Sequence, residues 1–309
     1  MRELVVLGTA SQAPTRTRNH NGHLLLWDGR GLLFDPGEGT QRQLVHAGVA
    51  ASRIGRICLT HVHGDHCYGL PGVLSRMVLD GVEHPVHLHY PATGEDVVRA
   101  LVSVATPGLD LRLHPHGGPG PVAEDLEVRP LDHRVETYGY RLAEPAGRTL
   151  LPDRLAAAGI AGPDVRRLQR EGSLRGTALA DVSVPRPGRR FALVMDTAPC
   201  AGAEELAEDA DLLVAECTYA DDDAGLAARH RHLTAGQAGA LAAAGGARTL
   251  VLTHFSARYE DLAPLAAQAR AAAGGAAVHA AEDLDRFALP RRRAPRDQPA
   301  GTTPAQSVR

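Results

Sequence analysis

Six residues, His61-Val62-His63-Gly64-Asp65-His66, constrain this chain more than any other stretch. They follow 54–60, an apolar run that predicts a buried strand. Side chains alternate along a strand, so His61 and His63 leave its end pointing the same way. Asp65 and His66 begin a helix and point into a different quadrant, and an acid suits a first helical turn electrostatically. The four ligating groups therefore divide between two neighbouring metal ions. Imidazole nitrogens and a carboxylate oxygen suit zinc, with manganese as the alternative. Each ion needs at least three protein groups and an open position for water. His133, Asp196 and His254 supply the rest: each stands at the C-terminal end of a predicted strand (126–131, 191–195 and 249–253), where α/β folds place chemistry. An aspartate can offer one oxygen to each of two ions, so Asp196 is the expected bridge.

Around this segment, strands are predicted at 4–7, 23–27, 31–34, 86–90, 138–142 and 212–215, and helices at 41–47, 70–79, 94–105, 203–208, 234–244 and 263–273. The alternation predicts an α/β fold with sheets covered by helices. All 33 basic residues are arginine, which excludes Schiff-base chemistry and a Walker-type phosphate loop, both lysine-dependent. The net charge is −3, yet 143–190 carries nine arginines against five acids. That excess of four positive charges on an acidic body predicts either an anionic partner or a solvated surface excursion. The same segment, with scattered Pro and Gly and few β-branched residues, reads as irregular. From 289 to 309 the chain is polar and Pro-rich and reads as a disordered tail. Cys58, Cys67, Cys200 and Cys217 form no CxxC pair, so a reduced, cytoplasmic setting is expected. No apolar run approaches the length of a membrane span, and the N-terminus reads as a first strand rather than a signal peptide.

Several further motifs occur in a fixed order: LGTASQAPTRTRN (7–19), LLFDPGEGTQRQL (32–44), LTHVHGDHCYGLPGVLSR (59–76), D-H-x-x-E-x-x-G-Y-R (132–141), AECTYA (215–220), HLTAGQAG (232–239) and LTHFSARY (252–259). With HVHGDH they make the chain resemble the metallo-β-lactamase fold superfamily and, within it, ribonuclease Z, the tRNA 3′-processing endonuclease. The resemblance implies an α/β, αββα four-layer sandwich over 1–288, with a protruding flexible arm inserted at 143–190.

It also implies roles. His61, His63, His133 and Asp196 hold one zinc ion; Asp65, His66, Asp196 and His254 hold the other. Water between the ions becomes hydroxide near neutral pH, since zinc lowers its pKa from 15.7 to about 7. Asp65 doubles as general base. His232, held by Glu216, protonates the leaving 3′ oxygen, and a carboxylate beside an imidazole raises its pKa and keeps it a competent acid. Ser256 and Arg258 grip the scissile phosphate. Arg18 and Asn19 either face substrate or tie down the first loop. In the arm, Gly162-Pro163 with Arg166, Arg167 and Arg170 forms an exosite that clamps the tRNA elbow by shape and backbone. Family members form homodimers that share a tRNA, and no membrane is involved. Three residues depart from the family pattern: Leu233 for a serine, Pro36 for a cysteine and Ala198 for an arginine. The competing readings are a phosphodiesterase or arylsulfatase of small substrates using the same metals, and a non-catalytic RNA-binding relative.

Overall fold

The structure is a computed structural model that describes residues 2–104 and 108–292. Its architecture follows from strands that are apolar on both faces. In Arg2–Gly8, Leu4 and Val6 enter one core while Val5 and Leu7 enter another. Alternation along a strand sends successive side chains to opposite sides, so such a sheet must be covered twice. The first sheet has seven strands in the order Arg286–Ala288, Arg2–Gly8, Gly22–Trp27, Arg30–Phe34, Ile54–Cys58, Val86–Pro91, Leu111–His116. The second, also seven-stranded, runs Ala277–Ala280, Thr249–Thr253, Leu212–Glu216, Arg190–Val194, Tyr138–Ala143, Leu126–Pro130, Gly120–Ala123.

Three apolar layers separate four structural ones. Leu44, Val73, Leu74, Met77 and Val98 from three helices pack on the outer face of the first sheet. Leu206, Leu241 and Leu265 pack likewise on the second. Between the sheets lie Leu4, Leu25, Val128, Leu193 and Val214, with Phe34 5.6 Å from Phe191 and 5.8 Å from Tyr140 between ring centroids. This is the expected αββα sandwich. The Arg190–Val194, Leu212–Glu216 and Thr249–Thr253 strands are mutually parallel, so their C-terminal ends, carrying Asp196, Glu216 and His254, emerge on one side.

The described residues divide into two compact units, 2–143 with 190–290, and 144–189 with 291–292. The second unit differs from the irregular segment expected. Gly147–Leu150 pairs with Ser183–Arg186, and Ser173–Leu174 with Thr177–Ala178. Helices Pro152–Ala157 and Pro163–Glu171 each start on a proline at a first-turn position, where its missing N–H costs nothing. Leu155, Ile160, Leu168, Leu174 and Val182 form a small core of their own. Strands of two to four residues and a six-residue helix carry too little periodicity to be read in a sequence, and the nine-residue helix Pro163–Glu171 offers only Val165 and Leu168 as large apolar positions, which explains the difference.

Smaller differences occur elsewhere. The helix expected at 94–105 is a 3-10 turn followed by Glu95–Ser103, with position 105 outside the described residues. The strands Leu111–His116 and Gly120–Ala123 were not expected, since His114, Pro115 and His116 mask the alternation. Order continues past 289, the expected start of the tail: Leu289 is buried and donates its backbone N–H to the Arg2 carbonyl, and Arg292 pairs with Glu144. The rest of that tail, 293–309, lies outside the described residues. Among the described residues, no helix is long and apolar enough to cross a membrane.

Candidate metal centre and active site

The HVHGDH segment begins where the Ile54–Cys58 strand ends, and His63 precedes the one-turn helix Gly64–Cys67. The turn is closely packed. A Cβ on Gly64 would lie 2.2 Å from the Tyr68 ring, and one on Gly37, from the Asp35-Pro36-Gly37 turn, 2.2 Å from the Asp65 carbonyl. Two motifs far apart in sequence thus each need a glycine where they pack around this turn. Pro36 fits this turn, its carbonyl accepting from the Gly69 N–H at 2.8 Å.

All seven expected ligands converge. His61, His63, His133 and Asp196 form one group that could hold a metal ion, and Asp65, His66 and His254 form another. His61 Nε2 and His133 Nε2 each lie 3.7 Å from Asp196 Oδ2. The other oxygen, Oδ1, lies 3.3 Å from His66 Nε2 and 3.2 Å from His254 Nε2, while Asp65 Oδ2 is 3.4 Å from both those nitrogens. Asp196 therefore gives one oxygen to each group.

The surroundings fix which nitrogen of each ring faces inward. His66 Nδ1 donates to Asp35 Oδ2 at 2.9 Å, and His133 Nδ1 to the Arg231 carbonyl at 3.1 Å. His61 Nδ1 meets Thr60 Oγ1 at 3.0 Å; that hydroxyl is spent donating to Asp35 Oδ2 at 2.8 Å, so it accepts from the ring. His254 Nδ1 likewise donates to Thr218 Oγ1 at 2.9 Å, whose own proton goes to Glu216 Oε2 at 2.5 Å. In all four rings Nε2 is left as a lone pair aimed at the centre, the arrangement that outer partners impose on metal-binding histidines. His66 Nε2 and His254 Nε2 face each other at 3.2 Å as lone pairs, and the buried Asp196 Oδ1 has no hydrogen-bond partner, an arrangement that a cation among them would satisfy. The donor set fits divalent metal.

Backbone geometry agrees. Asp35, Asp196 and His254 have positive φ of 45°, 41° and 59°, a region L-residues rarely adopt. Such conformations persist where surroundings over-determine them.

His232 lies beside the centre, its ring centroid 5.1 Å from that of His133. Its Nδ1 meets the two oxygens of buried Glu216 at 3.0 and 3.1 Å. Burial presses this imidazole toward neutrality, but the charge and hydrogen bond of Glu216 outweigh it and raise the pKa to about 9. Leu233, in the family's serine position, is buried in the core, and the next residue, Thr234, caps the following helix through Gln237. Ala198 contributes backbone alone, its N–H donating to the Asp132 carbonyl at 2.9 Å. Asp65, His133, Asp196, His232, His254, Ser256 and Arg258 all line one open cavity of about 660 Å³.

Arg18 and Asn19 do not join that cavity. Arg18 is buried, donating through Nη2 to the Tyr259 carbonyl at 2.7 Å, and lines a separate cleft. Asn19 donates to the Glu38 carbonyl at 2.8 Å and from its backbone to Asp283 at 2.6 Å. These contacts tie the first loop down, and Arg18 Nη2 also lies 3.4 Å from the Ser256 carbonyl, in the turn that carries Arg258. In the second unit, Gly162 (φ 55°) caps the helix that Pro163 starts; Arg167 and Arg170 pair with Glu171. Sequence reasoning missed Asp35 and Thr218. A buried acid just past a strand end is the signal that could have found Asp35.

A family model described as "Anti-Pycsar protein Apyc1" matches residues 2–99. A protein of Streptomyces coelicolor named Ribonuclease Z is 55% identical over 299 residues, covering 95% of this chain and 99% of its own. This chain belongs to the ribonuclease Z family. It is accordingly an endoribonuclease. Two solved structures share its fold: human tRNase Z, short form, with a TM-score of 0.67 at 24% identity (94% of this chain, 100% of that one), and the metallo-β-lactamase fold protein YhfI of Bacillus subtilis, with 0.67 at 18% (93% and 98%). The ribonuclease Z chain described here thus has the metallo-β-lactamase fold.

Proposed function

We propose that this chain removes the 3′ trailer of precursor tRNA, leaving a 3′-hydroxyl on the tRNA and a 5′-phosphate on the trailer. The observation that carries the reading is the division of Asp196 between two His/Asp groups, with an oriented acid beside them. His61, His63, His133 and Asp196 would hold one divalent ion and Asp65, His66, Asp196 and His254 the other, zinc by donor chemistry with manganese as the alternative. Such a pair supplies Lewis acidity at the phosphate and a nucleophile at neutral pH.

The chain's residues do the rest. Asp65 accepts the proton of the attacking water on a carboxylate oxygen. His232, its Nδ1 taken by Glu216, gives the Nε2 proton to the 3′ oxygen as the P–O3′ bond breaks. Glu216 holds that ring and keeps it protonated. Arg258, exposed at the cavity with its Nε 3.3 Å from Ser256 Oγ, takes the scissile phosphate together with Ser256. Gly162, Pro163, Arg166, Arg167 and Arg170 contact the tRNA backbone away from the cut, a shape-reading role suited to a small basic unit. The family resemblance supports a homodimer, and the substrate supports a cytoplasmic location.

The test is cleavage of one 3′-extended precursor tRNA by wild type and Asp65→Ala, with metal content measured. Cleavage just after the discriminator base, lost in the variant, is expected. Two bound metals per chain without cleavage would instead favour hydrolysis of small phosphodiesters or aryl sulfates.

A further inference from the structure

On one wall of the active-site cavity, Arg134, Tyr219 and His230 have no role in the chemistry above. Arg134 follows the candidate ligand His133 and is exposed. Its Nη2 donates to His230 Nδ1 at 2.8 Å. The His230 ring lies nearly parallel to that of Tyr219, at 20° with centroids 6.3 Å apart, and the Arg258 guanidinium stands 5.6 Å from the Tyr219 centroid. Arg134, Tyr219, His230 and Arg258 all line the cavity that holds His232.

The charge of Arg134 is what distinguishes it. Its neighbour across the loop, Arg231, is neutralised by Asp132 at 2.9 Å and also donates to the His133 carbonyl. Arg134 has no ion pair with an acid among the described residues; its partner is an imidazole nitrogen, which steers the guanidinium without cancelling it. A guanidinium held by one N–H keeps the rest of its fork for a phosphate. Arg134 and Arg258 thus bring two uncompensated cations to a cavity whose floor is His and Asp.

We propose that Arg134 grips the RNA phosphate next to the scissile one, on the side of the departing 3′ oxygen, and that His230 is the residue that positions it. The side follows from His232, two residues beyond His230 and 6.0 Å from Tyr219 between ring centroids. The inference rests on the reading of His232 as the acid for that oxygen and deepens it by naming a contact on the retained strand.

The experiment is steady-state cleavage of a 3′-extended precursor tRNA by the metal-loaded enzyme across a range of salt, comparing wild type, Arg134→Ala, Arg134→Lys and His230→Ala, with metal content measured for each. Arg134→Ala should raise KM about tenfold while kcat stays within about twofold. The slope of log KM against log salt should fall by about 0.7, the value for one lost phosphate contact on a single strand. Arg134→Lys should restore much of the salt slope and part of the KM, and His230→Ala should raise KM about threefold, as a loss of positioning. An unchanged KM and salt slope in Arg134→Ala would overturn the proposal. So would a fall in kcat together with bound metal at unchanged slope, because Arg134 would then only support His133. Failure of the metal-loaded wild type to cleave would defeat the underlying reading, and this one with it.

Discussion

The two units of this chain handle charge in opposite ways. In the sandwich, Asp35, His61, His66, Asp196, Glu216 and His254 are buried, and the outward-facing nitrogens of the His61, His66 and His254 rings are each held by a named neighbour. In 144–189, Arg154, Arg166, Arg167, Arg170 and Arg175 are exposed; Arg167 and Arg170 pair with Glu171, and Arg175 with Asp164. Buried polar networks cost a great deal when one member is lost, whereas exposed pairs contribute about 0–1 kcal/mol. The sandwich therefore fixes geometry to fractions of an ångström, and the smaller unit offers exchangeable charge. Chemistry needs the first property, and contact with a long anionic surface needs only the second.

Mutation should expose that asymmetry. The largest effect is expected at Asp196→Ala, which removes a ligand atom from both groups: bound metal should fall and cleavage drop to background. Two retained metals per chain in that variant would refute its place as the bridge. His232→Ala comes next, with a loss of roughly 10²–10⁴-fold in kcat at unchanged metal content, the usual range for a general acid. A loss confined to KM would remove His232 from proton transfer. Asp35→Asn should then weaken metal binding by about 10–100-fold, because His66 loses its orienting partner and Thr60, which holds His61, loses the acceptor of its proton; metal titration reads this directly.

Two smaller effects belong to the other unit. Leu168→Ala should destabilise it by about 2–5 kcal/mol, since a five-residue core has little to close around a cavity. Hydrogen exchange should speed up within 144–189, tRNA KM should rise, and turnover of bis(p-nitrophenyl) phosphate should stay as in wild type. Arg167→Ala should change tRNA KM by no more than about threefold, its pair with Glu171 being exposed. A tenfold effect from Arg167 alone would erase the contrast between the units.

How much was legible in the sequence follows the same division. HVHGDH and three residues at strand ends gave the metal centre, because ligation needs particular side chains at particular spacings and those survive in one dimension. Asp35 and Thr218 stayed hidden, since their work is to hold Nδ1 of His66 and His254, residues 31 and 36 positions away, a relation that exists only after the strands align. Arg18 was open between two roles for a related reason. A cation near a site motif suggests substrate, and only its burial against the Tyr259 carbonyl shows it bracing a turn. The smaller unit was misread as irregular because its order comes from five apolar contacts rather than from repeating patterns.

The first strand has one more consequence. Arg2–Gly8 is bordered on one side by Gly22–Trp27 and on the other by Arg286–Ala288, with Leu4 opposite Phe287. During synthesis the first partner arrives almost at once, and the second only after the roughly 260 residues between Gly22–Trp27 and Arg286–Ala288 have been made. At roughly 5–20 residues per second, that interval is on the order of tens of seconds. Throughout it the nascent protein presents an apolar strand with one open edge, the feature that invites pairing with other chains. Ribosomes that stop short of residue 288 would release products that keep that edge, so the three-residue strand Arg286–Ala288 acts as a latch on the first.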